Sequence, residues 1–123
     1  MPVILVVDDD ESVREMVADF LRELPSLSVQ TAPSGEKALE RAHERDFDLF
    51  LTDGQMPSMT GIELLKHLKK ECNDAPVVVM SGDAMMRHRA ILGGADGVLP
   101  KPFQREELVG LVKTLLFGSM ISK

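Results

Sequence analysis

The sequence predicts an α/β protein in which a parallel sheet is covered by helices on both faces. Three observations predict it. Short apolar runs begin about 20 to 28 residues apart, the length of a strand plus a helix. The segments between them place apolar residues at helical spacing. The runs Val3-Ile4-Leu5-Val6-Val7 and Val77-Val78-Val79-Met80 do not alternate with polar residues, as expected of strands buried on both faces. The chain has 123 residues, the size of one domain with a sizeable core. A single domain is expected across 1–123, with its core at about 2–117 and a short tail at 118–123.

Each element has its own signal. After the first run, Val13, Met16, Val17, Phe20, Leu21 and Leu24 form one apolar stripe at a helical period, and Pro25 bars its continuation. Leu27-Ser28-Val29 reads as the second strand. A helix over about Ser34 to Arg45 turns Ala38, Leu39 and Ala42 inward. Leu49-Phe50-Leu51 is the third strand. Ile62, Leu64, Leu65 and Leu68 mark the third helix, and Thr60 with Glu63 forms a capping-box pattern at its start. The fourth helix, about Ala84 to Leu92, has the weakest pattern and ends at Gly93-Gly94. Val98-Leu99 is the fifth strand. The last helix carries Leu108, Val109, Leu111, Val112, Leu115 and Leu116, with Phe103 and Leu108 spaced as a hydrophobic staple around an N-cap at Gln104. Right-handed crossovers then put helices on both sides of the sheet.

Composition narrows the function. Fourteen Lys and Arg against 20 Asp and Glu give a formal charge of −6, the wrong sign for a surface built to bind nucleic acid. One cysteine, Cys72, excludes an internal disulfide framework and a Cys-based zinc site. No apolar run approaches the roughly 18 residues of a membrane span. No signal peptide is evident, so a cytoplasmic location is expected. The histidines His43, His67 and His88 are expected at the surface, and Lys66, Lys69 and Lys70 as a solvated helix face.

Ligands of an open parallel sheet sit at the C-terminal ends of its strands. Here the first strand runs into Asp8-Asp9-Asp10, the third ends in Asp53, the fourth in Ser81-Gly82-Asp83 and the fifth in Pro100-Lys101-Pro102. Clustered carboxylates repel unless a positive charge intervenes. Lys101 supplies one charge. A hard divalent cation supplies two, and an all-oxygen ligand set suits Mg²⁺. A metal, an ammonium, a hydroxyl and a carboxylate nucleophile are the parts of a phosphoryl-transfer site. Each residue also has an ordinary structural role. Asp10, Ser81 and Asp83 can cap helices, Asp53 can sit in a turn, and Lys101 can be a solvated loop lysine. Their coincidence at the ends of one sheet is what favours chemistry.

The segments ILVVDDDESVRE at 4–15, DLFLTDGQMPSMTGIELL at 48–65, VVVMSGDA at 77–84 and GVLPKPF at 97–103 together resemble the receiver domain of bacterial two-component response regulators. The resemblance covers about Pro2 to Phe117. It implies a three-layer, flavodoxin-like (βα)5 fold with strand order 2-1-3-4-5. It implies that Asp53 is the phosphoacceptor, taking a phosphoryl group from a histidine kinase or histidine phosphotransfer protein. It assigns Mg²⁺, with Mn²⁺ as an alternative ion, to Asp8, Asp9, Asp53 and the backbone carbonyl of Gln55. Ser81 would hydrogen-bond a phosphoryl oxygen, and Lys101 would pair with the phosphoryl group. The Lys101–Pro102 peptide would be cis, a form far less costly before proline than elsewhere. Pro57 would fix φ in the loop after the acceptor, and Gly61 would permit a φ other residues resist.

Such a domain would catalyse its own phosphorylation and dephosphorylation without turning over an outside substrate. It would switch its surface to control an output domain or partner that the sequence does not name. A homodimer through the face of the fourth helix, fifth strand and fifth helix is one further partner the resemblance implies. One departure stands out: Val98 occupies the position where the family usually carries Tyr or Phe, so a ring-swinging switch is not available. Three rival readings compete with this one. A haloacid-dehalogenase-like phosphatase would use Asp8 and Asp10 as its Asp-x-Asp pair. A flavodoxin would need a phosphate loop free of the three aspartates found here. A pseudo-receiver would keep the fold as an interaction module and never be phosphorylated.

Overall fold

The computed structural model describes residues 2–72 and 74–118. Five strands alternate with five helices. They are β1 (Val3–Val7), α1 (Glu11–Arg22), β2 (Ser28–Ala32), α2 (Gly35–Glu44), β3 (Leu49–Asp53), α3 (Gly61–Glu71), β4 (Val77–Ser81), α4 (Ala84–Leu92), β5 (Gly97–Pro100) and α5 (Arg105–Phe117). The strands form one sheet in the order β2-β1-β3-β4-β5. All four pairings are parallel, with Val7 opposite Thr52 and Asp53 opposite Met80 at the end where the strands finish. Except for Gly118, the expected tail at 118–123 lies outside the described residues.

Strand alternation divides the core in two. Val3, Leu5, Val7, Phe50, Val77 and Val79 pack with Ala38, Leu64, Leu65, Leu68 and Ala90, so α2, α3 and α4 cover one face. Ile4, Val6, Leu49, Leu51, Val78 and Met80 pack with Val17, Leu21, Leu108 and Val112, so α1 and α5 cover the other. Each fully buried side chain of this kind contributes roughly 1.5–3 kcal/mol relative to exposure. β1, β3 and β4 are buried along their whole length, which explains their unbroken apolar runs.

Most predicted boundaries stand within a residue or two; one strand and three single-residue readings differ. β2 begins at Ser28 and runs to Ala32, because Leu27 is a loop residue packed on the α1/α5 side of the core. As an edge strand it is mostly half-buried, so its apolar signal is faint. Met16 belongs to the apolar stripe of α1 by spacing but is 40% exposed. Lys69 is not a free surface charge: its ammonium pairs with Asp96, whose carboxylate also accepts the Val77 N–H. Gly61 does not occupy a left-handed conformation; among the described residues positive φ falls at Ser26, Ser58, Gly94 and Gly118. Its reason for being glycine is space. A Cβ there would lie 2.3 Å from the Asp53 carbonyl oxygen and 2.7 Å from the Gly54 Cα, both backbone.

Candidate phosphoryl-transfer site

From β1 the chain passes to β2 on one side, and then to β3 on the other. The strand order therefore reverses between β1 and β3, and a crevice opens beyond their C-terminal ends. Asp8 follows β1 and Asp53 ends β3, so the topology alone sets two carboxylates at that point. Asp9 joins them: one carboxylate oxygen from each of Asp8, Asp9 and Asp53 lies within 4.8 Å of the others. Asp8 and Asp53 are buried, and Asp9 is exposed at the mouth.

Lys101 reaches in from the end of β5. Its Nζ donates to Asp53 Oδ1 at 3.0 Å and to Asp8 Oδ2 at 3.2 Å. The Lys101–Pro102 peptide is cis. Burial pushes the Asp8 carboxyl above its ordinary range; the Asp10 N–H opposes that shift, the Asp53 charge adds to it and Lys101 opposes it. For Lys101 burial works against the charge, yet the bond to Asp53 and the nearby charges of Asp8 and Asp53 outweigh it and hold the ammonium above its ordinary value. Three carboxylates around one ammonium leave two negative charges uncompensated. An oxygen-only, doubly deficient cluster suits a hard divalent cation in both charge and ligand type.

The remaining predicted residues lie on β4, on β5 and in the loop after β3. Ser81 ends β4 and is 3% exposed, with its Cβ beside Gly54, the residue after Asp53. Its Oγ accepts the Asp83 N–H at 3.0 Å. Gln55 and Pro57 lie in the exposed loop after Asp53, and the Gly61 N–H closes that loop by donating to the Gly54 carbonyl at 2.9 Å. Val98 is half-buried on β5 against the α2/α3/α4 side of the core.

Two acids are committed to helix ends. Asp10 caps α1 by accepting the N–H groups of Ser12 and Val13, and Asp83 caps α4 by accepting that of Met85. Sequence reasoning missed Arg14 and Arg87. Their guanidinium groups donate to the carbonyls of Asp8 and Ser81, each at 2.8 Å. The signal was a shared spacing: Asp8, Asp10, Arg14 and Ser81, Asp83, Arg87. At the opposite end of the sheet, where the chain enters β3 and β4, His43 and His67 both approach Glu71, away from the strand ends that form the crevice.

Residues 4–113 match the family described as the response regulator receiver domain. The chain is 38% identical over 118 residues to the transcriptional regulatory protein CpxR homolog of Haemophilus influenzae, covering 94% of this chain and 51% of that protein. It thus spans about half the length of the curated relatives it matches. Among solved structures, chemotaxis protein CheY4 of Vibrio cholerae is similar at a TM-score of 0.86 with 32% identity, covering 94% of this chain and 99% of that one. Response regulator TrrA of Thermotoga maritima, solved in complex with Mg²⁺-BeF, is similar at a TM-score of 0.86 with 32% identity, covering 94% and 100%.

Proposed function

The chain belongs to the response regulator receiver family of two-component signalling, and from that premise we propose that Asp53 is its phosphoacceptor. One observation carries the reading: the Asp53 carboxylate is held by the Lys101 ammonium beside two further carboxylates, in the crevice where the strand order reverses. A carboxylate oxygen of Asp53 attacks phosphorus in line. The new O–P bond replaces the N–P bond of a phosphohistidine, and the imidazole leaves with the electron pair and takes up a proton. Lys101 then pairs with a phosphoryl oxygen. Ser81 is set for a second contact, because a hydroxyl that accepts the Asp83 N–H keeps its own O–H free to donate. Water later attacks the acyl phosphate and returns the carboxylate and inorganic phosphate.

Asp8, Asp9, Asp53 and the Gln55 carbonyl would hold Mg²⁺, or Mn²⁺ in its place. The bound ion supplies charge neutralisation at the phosphoryl oxygens. The phosphoryl donor is a histidine kinase or histidine phosphotransfer protein. The readout is an output domain or partner protein that meets the switched surface, including a second copy at the α4–β5–α5 face. The domain acts in the cytoplasm and serves its own chemistry only; among the described residues no helix is long and apolar enough to cross a membrane. The acidic balance of −6 argues against direct nucleic-acid binding by this chain.

Incubation with acetyl phosphate and Mg²⁺ tests the assignment by intact mass. The wild-type chain should gain one phosphoryl group, and Asp53→Asn should gain none. Stoichiometric labelling of the variant, or an unmodified wild type, would overturn it.

A further inference from the structure

Two strand ends of this protein are wired alike. After β1, the Asp8 carboxylate accepts the Asp10 N–H at 2.9 Å, Asp10 caps α1, and Arg14 Nη1 donates to the Asp8 carbonyl. After β4, the Ser81 hydroxyl accepts the Asp83 N–H, Asp83 caps α4, and Arg87 Nη1 donates to the Ser81 carbonyl. In both places a guanidinium from the first turns of a helix is fastened to the backbone of the residue that serves the site.

The second copy has an added contact and a different helix behind it. Met86, one residue before Arg87, lies across Gly54; a Cβ on Gly54 would come 2.8 Å from the Met86 Cγ. Thus α4 touches both flanks of the acceptor, Gly54 directly after Asp53 and Ser81 on the adjoining strand. Yet α4 buries only Ala90, while Met85, Ile91 and Leu92 are 58%, 55% and 74% exposed. A helix with so little burial takes its position from its attachments, and the Arg87 bond is the charge-assisted one.

We propose that Arg87 is a positioning residue that makes α4 follow Ser81, so that a displacement of Ser81 toward a group on Asp53 is delivered to the exposed apolar surface of α4. The proposal rests on the reading of Asp53 as acceptor. Arginine suits the task because it is always charged and its bond to a carbonyl is charge-assisted, stronger than a neutral one. A ligand can move α4 only through contacts that differ between the two positions, and this bond couples the two.

The test follows the methyl resonances of Met85 and Met86 in the full chain during titration with Mg²⁺ and beryllofluoride, a phosphoryl mimic. The Gly54 and Ser81 amides report occupancy of the site. In the wild type both sets should shift. In Arg87→Gln the methyl shifts should fall by about threefold or more, while the midpoint read at the site changes by less than about threefold. Arg87→Lys, which keeps a cationic donor, should restore at least part of the methyl response; a purely structural role for Arg87 would give no such separation and rescue. Undiminished methyl shifts in Arg87→Gln would overturn the proposal, as would wild-type methyls that stay still while the site amides move. If neither set moves in the wild type, the acceptor assignment has failed and this inference goes with it.

Discussion

Asp10 and Asp83 hold equivalent places at the starts of α1 and α4, each with a strand-end partner two residues before it and an arginine four residues after it. Behind the first junction stands a helix with Val17, Ala18 and Leu21 fully buried. Val13, Phe20 and Leu24 pack around them. The end of α1 is also tied to α5, where Arg105 meets Glu23 at 2.6 Å. Behind the second junction stands a helix with one buried alanine. Identical wiring therefore sits on unequal foundations. Caps and carbonyl contacts aim a helix, but burial decides whether it stays when the wiring is disturbed. The carboxylate side of the site is anchored by core packing. On the hydroxyl side the strand is buried, but the helix after it is held mainly by its cap and its carbonyl contact.

The largest effect should come from trimming a leucine in each helix, buried in α1 and exposed in α4. Leu21→Ala in α1 removes a fully buried side chain and should cost about 2–5 kcal/mol in urea unfolding. Leu92→Ala in α4 touches little and should stay within about 0.5 kcal/mol. Equal costs would erase the contrast between the helices. Removing the caps sharpens it at smaller scale. Asp10→Ala and Asp83→Ala should each cost their helix about 1 kcal/mol. For Asp10 the loss should appear in global unfolding, whereas for Asp83 it should appear as faster amide exchange confined to α4 with the global midpoint nearly unmoved.

The smallest effect is a control at the far end of the sheet. The hydrogen bond to His43 holds the Glu71 carboxyl below its ordinary 4.5; slight burial opposes this, and the charges of His43, His67 and Lys70 assist. The folded state therefore binds that proton less readily than the unfolded chain does. The stability Glu71 contributes is present above 4.5 and fades as pH falls through the lowered folded value. Wild type and Glu71→Gln should differ slightly in melting temperature near neutral pH and converge on acidification. Amide exchange in α1 and α4 should be the same in both. A gap that widens in acid would contradict the sign.

Much of this was legible before any coordinates, for identifiable reasons. β1 and β4 announced themselves because burial on both faces leaves no room for polar alternation. The start of α3 was legible because Thr60 and Glu63 exchange hydrogen bonds across three residues, a purely local event. The acids of the site were legible because topology dictates which strand ends converge. What escaped depends on neighbours distant in sequence. Lys69 looks solvated until Asp96, 27 residues on, is brought to it. Met16 fits the stripe of α1 by spacing yet stays 40% exposed. Gly61 invited an argument from φ, whereas the deciding fact is the Asp53 carbonyl pressed against its Cα. The two arginine contacts left a trace only as a spacing repeated 73 residues apart, readable once Asp8 and Ser81 are recognised as counterparts.

The Arg14 hook has a kinetic corollary. With the Asp8 carbonyl clamped by a guanidinium and its carboxylate held by the Asp10 N–H and Lys101, the acid side of the crevice is in place before the divalent ion proposed above would arrive. Capture should then be governed by how fast the ion sheds its own water, so that slowly dehydrating Mg²⁺ enters more slowly than Ca²⁺ at equal concentration.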